Sequence, residues 1–330
     1  MSTLIGPALV LVAATVGLWF GARWLVDSAS SLAGAAGVSP LVIGLTVVAF
    51  GTSAPELAVS TVAALEGTGD VAVGNVVGSN VFNLGVVLGT VALLRPFRVS
   101  QTLVRRDAIA MAVATAIATV ILANRVVSRP EGALLIALLV GYTVGLAIDA
   151  HRQRTIETPS ADDGDGFETA CDRTPLDPSE PPVRFGLEIG RLLVGLALVV
   201  GGGRALVGAA TTIGLAVGIS EWTIGVTVVA AGTSLPELVT SVVAVRREAV
   251  AIAAGNVVGS NVFNLLGVLG VSATIRPTVV DPAVPASLVW LGVITAAATV
   301  VLATGRRLTR LEGLVLLAFA ICYWAASAVA

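Results

Sequence analysis

Residues 47–60 read VVAFGTSAPELAVS. They sit inside an apolar stretch from Leu41 to Leu65, long enough to cross a membrane, which takes about 20 apolar residues. Yet Gly51, Thr52, Ser53, Pro55 and Glu56 fall close together within it. A carboxylate at the bilayer centre costs about 2.5–3.5 kcal/mol on insertion scales. Pro55 has no amide hydrogen, so the carbonyl of Gly51, four residues earlier, loses its helical partner. The chain should kink or unwind around residues 49–55. Thr52, Ser53 and Glu56 are spaced by three and four, which puts all three on one helical face.

The surrounding composition sets the class. The 330 residues are 56% hydrophobic and 12% charged, with net charge −2 and mean hydropathy +0.95. A soluble domain carries about 25% charged residues. Ten apolar segments lie near residues 4–26, 41–65, 71–94, 107–124, 132–149, 186–217, 222–245, 250–275, 283–304 and 311–329. They lack the polar alternation of barrel strands, so an all-α polytopic membrane protein with ten transmembrane helices is expected. No basic residue precedes the first span, which therefore does not read as a cleaved signal peptide. Cys171 and Cys322 form no framework, and neither a cofactor nor a nucleic-acid partner is expected.

All 19 basic residues are arginine. With the N-terminus outside, the inner loops hold Arg95, Arg98, Arg105, Arg106, Arg152, Arg154, Arg173, Arg184, Arg246, Arg247, Arg306, Arg307 and Arg310. The outer loops hold only Arg125, Arg129 and Arg276. The excess of inner arginine favours this orientation in a plasma membrane, with both termini outside. The segment Asp149–Glu180 carries nine acids. It reads as a polar cytoplasmic linker, about residues 150–183, between two units. An acidic, lysine-free chain also resembles proteins of halophilic archaea, although a GC-rich genome alone favours arginine.

The chain repeats itself. GNVVGSNVFNL at 74–84 recurs letter for letter at 255–265, 181 residues later. The same offset takes Gly51-Thr52-Ser53 to Gly232-Thr233-Ser234, Pro55-Glu56-Leu57 to Pro236-Glu237-Leu238, and Arg95-Pro96 to Arg276-Pro277. Each unit holds five spans, an odd number, so the second copy should be inverted in the membrane. Inverted repeats are characteristic of secondary transporters. The units are 1–149 and 184–330, with their motifs at about 37–96 and 218–277.

Each copy also offers Ser79 and Asn83, or Ser260 and Asn264, four residues apart. Converging at the midplane, the four spans would present two carboxylates, hydroxyls, amide oxygens and freed carbonyls. An all-oxygen set suits a hard cation, calcium or sodium; calcium takes six to eight oxygens. Set against that, serines and glycines in membrane helices often serve packing alone. Asn75, Asn80, Asn256 and Asn261 read as interhelical glue. Arg23 and Asp27 read as a local ion pair, Arg204 has no local acid, and His151 reads as a solvated loop residue. Glu56 and Glu237 resist a packing explanation, because an intramembrane carboxylate is functional by default.

GTSxPE followed by GNxxGSNxFN, present twice, resembles the alpha repeats of the calcium/cation antiporter superfamily, specifically its sodium/calcium exchangers of prokaryotic type. The resemblance implies cation ligands at Thr52, Ser53, Glu56, Ser79 and Asn83, and at Thr233, Ser234, Glu237, Ser260 and Asn264, with backbone carbonyls of Ala49 and Ala230. It implies calcium and sodium as transported ions. It also implies that the first helices of each unit, 4–36 and 186–217, slide to alternate access. Many members carry an aspartate at one of the positions matching Asn83 and Asn264; here both are asparagine. Three readings follow: a sodium-coupled calcium antiporter, a proton- or potassium-coupled exchanger on the same fold, or an intramembrane enzyme using Glu56 and Glu237 as acid and base. Near-identical surroundings argue against the last, since such a pair needs two different environments.

Overall fold

A computed structural model of the chain describes residues 2–67, 69–155, 184–216, 230–279, 284–304 and 307–329. In the first copy of the repeat, α1 is Ser2–Ala36, α2 is Pro40–Thr52 and α3 is Ala54–Glu66. Helix α4 runs from Gly69–Phe82 through a π turn, Asn83–Val87, into Leu88–Leu94. Helix α5 starts in a π turn, Leu103–Ala108, and continues as Ile109–Leu122, and α6 is Arg129–Thr155. In the second copy, α7 is Phe185–Ala216, α8 is the short Ala230–Gly232 and α9 is Leu235–Arg246. Helix α10 runs from Val250–Val262 through Phe263–Val268 into Leu269–Ile275, α11 is Val284–Thr304 and α12 is Arg310–Val329.

Among the described residues, seven helices are long and apolar enough to cross a membrane, and α2 with α3 makes an eighth, bent by 45°. The bend falls at Ser53, inside the stretch expected to unwind. The fourth expected span is α5, interrupted near its start by its π turn. The seventh is described only from Ala230 onward, and residues 156–183 of the expected linker lie outside the described residues. Helix α6 continues past the apolar segment to Thr155, so His151 is an exposed helical residue, not a loop residue. Arg106, whose Nη1 donates to Asp149 at 3.0 Å, anchors that last part of the helix.

Two short strand pairs join distant parts of the chain. β1 (Phe97–Arg98) pairs antiparallel with β4 (Arg307–Leu308), and β2 (Val126–Val127) with β3 (Thr278–Val279). The 181-residue offset turns one pair into the other, partner for partner. Other polar contacts fall into the same two sets. Arg95 meets Glu248, Asp27 meets Arg247, and Arg310 donates to the carbonyl of Leu93. Separately, Arg129 donates to the carbonyl of Ile275, and the Arg276 guanidinium lies against Gly67.

The helices are of two kinds. In α4 and α10, 78% of the apolar window is buried, against 22% in α1 and 28% in α7. The buried helices cross on glycine, which lets backbones approach closely. A Cβ added to Gly255 would lie 2.7 Å from the carbonyl oxygen of Leu41, and one at Gly259 would lie 2.5 Å from that of Leu45. Helices α1 and α7 also cross on glycines, Gly21 and Gly195, but present apolar faces such as Leu9, Val12, Leu187 and Leu193 outward. Outward apolar faces along helices of this length suit lipid.

Candidate cation site

Two broken helices bring the carboxylates together. The chain leaves the helical path at Ser53 (φ −81°, ψ 8°) and at Ser234 (φ −93°, ψ 8°). Pro55 and Pro236 then open α3 and α9, where a missing amide hydrogen costs nothing because first-turn amides have no helical partner. Glu56 and Glu237 lie in those first turns, the helix end whose dipole favours negative charge.

The copies bond to each other across the break. The Ser53 hydroxyl donates to Oε1 of Glu237 at 2.9 Å, and the Ser234 hydroxyl donates to Oε1 of Glu56 at 2.9 Å. Each carboxylate is thus held by the other copy's serine. Thr52 donates to Oδ1 of Asn256 at 3.1 Å, and Thr233 to Oδ1 of Asn75 at 3.4 Å. Among the residues expected to ligate, Ala49, Thr52, Ser53, Glu56, Ser79, Asn83, Ser234, Glu237, Ser260 and Asn264 are essentially inaccessible to solvent. Thr233 is half-buried, and Ala230 opens the short helix α8.

The polar atoms left over are the informative ones. Oε2 of Glu56 and Oε2 of Glu237 make no hydrogen bond, nor do the Ser79 hydroxyl and both side-chain atoms of Asn83 and of Asn264. Ser260 makes one long contact, 3.5 Å to the carbonyl of Ala49. Leaving a buried polar atom unpaired costs about 1–3 kcal/mol, and more for a charge. The oxygens among them, a carboxylate and an amide oxygen in each copy plus the Ser79 hydroxyl, form the ligand set of a hard cation, with two negative charges. The side chains gathered here are carboxylates, hydroxyls and amides, not the thiolates and imidazoles of a zinc or copper centre.

Asn83 and Asn264 both lie in π turns. Such turns add a residue to one helical turn and are frequent at functional sites. Periodicity gave no sign of them, because past Asn83 and Asn264 each turn holds only apolar residues and glycine, which report no phase. The sequence also pointed to a local Arg23–Asp27 pair; Asp27 instead reaches Arg247 at 3.2 Å, because α1 packs against α9 and passes its end. A second buried cluster leaves no mark in the sequence pattern. Asp107, fully buried, takes two bonds from Arg106 (2.8 and 3.2 Å) and one from the Tyr142 hydroxyl (3.2 Å). It joins α5 to α6 and lies apart from the carboxylate pair in sequence and in its bonding.

Crossing apolar helices that break at paired carboxylates are the kind of architecture that secondary transporters use. The chain belongs to the sodium/calcium exchanger protein family, whose model matches residues 6–147 and 187–329. It is 38% identical over 284 residues to inner membrane protein YrbG of Escherichia coli, covering 84% of this chain and 82% of that one. It is 32% identical over 339 residues to sodium/calcium exchanger MaX1 of Methanosarcina acetivorans, 96% of each chain. A solved structure of the sodium-calcium exchanger NCX_Mj superposes with a TM-score of 0.82 at 28% identity, over 98% of this chain and 99% of that one. This chain is accordingly a membrane antiporter of the calcium and cation exchange class, and its relatives are transporters, not enzymes.

Proposed function

We propose that the chain exchanges calcium for sodium by alternating access at a midplane site. The ligands are Glu56, Glu237, Thr52, Ser53, Ser79, Asn83, Thr233, Ser234, Ser260 and Asn264, with the carbonyls of Ala49 and Ala230. One observation carries this reading: each carboxylate keeps one oxygen bonded to the opposite copy and one without a partner. Two such oxygens balance the charge of one calcium ion. Neutral hydroxyls, amides and carbonyls around them suit sodium.

The architecture we propose is ten spans in two inverted units, 1–149 and 184–330, joined by a cytoplasmic linker at 150–183, with both termini outside. The two sets of loop contacts support it. Helix α4 ends beside α9's turn, whereas its counterpart α10 ends beside α3's turn, so equivalent helices run in opposite senses. Alternating access then falls to α1 and α7, which cross on glycine and face lipid.

Purified protein in calcium-loaded proteoliposomes, under imposed sodium, potassium or proton gradients, tests the coupling. Calcium flux should follow the sodium gradient; flux that follows only a pH gradient would overturn sodium coupling. With calcium and two glutamates the site is neutral, so exchange for more than two sodium ions should respond to membrane potential. Orientation is tested with an impermeant thiol reagent on right-side-out cells carrying Cys322→Ser. Cys171 should stay unlabelled.

A further inference from the structure

We infer that Asn256 and Asn75 are positioning residues that set the polarity of the threonine ligands, Thr52 and Thr233, and so tune the site for sodium. This rests on the exchanger reading above. Nδ2 of Asn75 donates to the carbonyl of Glu56 at 3.1 Å and to the Ser60 hydroxyl at 2.9 Å. Nδ2 of Asn256 donates to the carbonyl of Glu237 at 3.4 Å and to the Ser241 hydroxyl at 3.0 Å. A backbone carbonyl only accepts, so the NH2 end of each amide has to face it. Ser60 in turn gives its proton to the carbonyl of Ala72 at 3.3 Å, which leaves its oxygen to accept.

Both amide hydrogens are therefore committed, and Oδ1 is left facing the other copy's threonine. A hydroxyl has one proton and two lone pairs. Donation from Thr52 to Oδ1 of Asn256 spends that proton at 3.1 Å. Both lone pairs of Thr52 then remain for a cation. Without Asn256 the nearest other acceptor is the carbonyl of Ala49, 3.3 Å away, which already accepts from the Ser53 amide at 3.0 Å. The proton would then turn toward a carbonyl of the same ligand set, and the hydroxyl would no longer be held by the opposite copy. One amide thus fixes how the threonine oxygen is presented. Sodium, held mostly by neutral oxygens, should lose more than calcium, whose charge is met by Glu56 and Glu237.

The test is a double-mutant cycle in proteoliposomes on Asn256→Ala, Thr52→Val and the pair, reading half-saturation for sodium and for calcium separately. Asn256→Ala should raise the sodium value about tenfold, as expected for one lost hydrogen bond per ion ligand, and the calcium value by less than about threefold. In the Thr52→Val background the effect of Asn256→Ala on sodium should vanish, because the two act through one hydroxyl. Asn75→Ala, at the less buried mirror position, repeats the test should Asn256→Ala lower the yield of folded protein. Equal shifts for the two ions, or a sodium effect that persists without the Thr52 hydroxyl, would overturn the inference while leaving the exchanger intact. Wild-type protein that moves calcium without regard to sodium would overturn both.

Discussion

Helix α3 turns into α4 on Gly67, with φ +82°; 181 residues later α9 turns into α10 on Glu248, with φ +64°. Left-handed backbone is free for glycine and costs other residues about 1–2 kcal/mol. The first turn leaves bare backbone, against which the Arg276 guanidinium lies. The second carries a carboxylate to the matching arginine, Arg95, at 2.9 Å. Beside Glu248, Arg247 takes Asp27, and Arg246 sits 5.3 Å over the Trp19 ring, where the first copy has Glu66 and Leu65. At the carboxylates the copies agree bond for bond, 2.9 Å against 2.9 Å. Burial explains the difference. A buried charge tolerates one arrangement of partners, whereas water can solvate many arrangements at an exposed corner.

The comparison breaks most sharply at its centre. Glu56→Gln and Glu237→Gln should each weaken calcium affinity by at least about 30-fold, the lower end of removing a buried charge partner. The two losses should match, since the bonds do. Calcium flux at equal protein amounts measures this; one variant retaining wild-type flux would remove both the equivalence and the site.

Next come the helix crossings. A Cβ at Gly89 would lie 2.8 Å from the carbonyl of Gly313, and one at Gly270 would lie 3.0 Å from that of Gly132. These positions are related by the repeat, so Gly89→Ala and Gly270→Ala should each cost about 1–3 kcal/mol through overpacking. Thermal midpoints in detergent should fall together. A fall in only one would mean that one crossing relaxes and the other does not.

The corners should respond with opposite signs. Gly67→Ala puts a side chain at a left-handed position already covered by Arg276, and should destabilise by about 1–2 kcal/mol. Glu248→Gly removes the same strain and loses only an exposed ion pair, worth about 0–1 kcal/mol, so stability should hold or rise. Chemical denaturation of the two variants reads the sign directly.

The smallest effect belongs to Asp27→Asn. Its pair with Arg247 is half-exposed, so the change should stay under about 1 kcal/mol and disappear in molar salt, where charges are screened within about 3 Å. A large, salt-insensitive loss would show that this corner carries more than surface charge.

Much of this was legible in the chain itself. Pro55 gave the break at Ser53 because a missing amide acts locally. The letter-for-letter motif gave the equivalence of Ser79 with Ser260 and of Asn83 with Asn264. Equivalence is not contact, however. Nothing in the repeat says that Ser53 serves Glu237 and not Glu56, or that Thr52 meets Asn256; such pairings arise only when two helices cross. The π turns were hidden for another reason. Within them, the residues after Asn83 and Asn264 are apolar or glycine, with no polar side chain to mark a slip in phase. Asp27 misled because spacing by four suggests a partner on its own helix, while the packing of α1 on α9 decided the matter.

The exchange of serines also has a consequence in time. Glu56 and Ser234 are separated by 178 residues. A ribosome adding about 5–20 residues per second makes one roughly 10–40 s before the other. Throughout that interval the α3 carboxylate is in the nascent chain and its partner has not been synthesised. Membrane insertion of the first half must therefore leave an unmatched carboxyl hydrated or protonated until the second half arrives, and final assembly of the core waits on the ribosome.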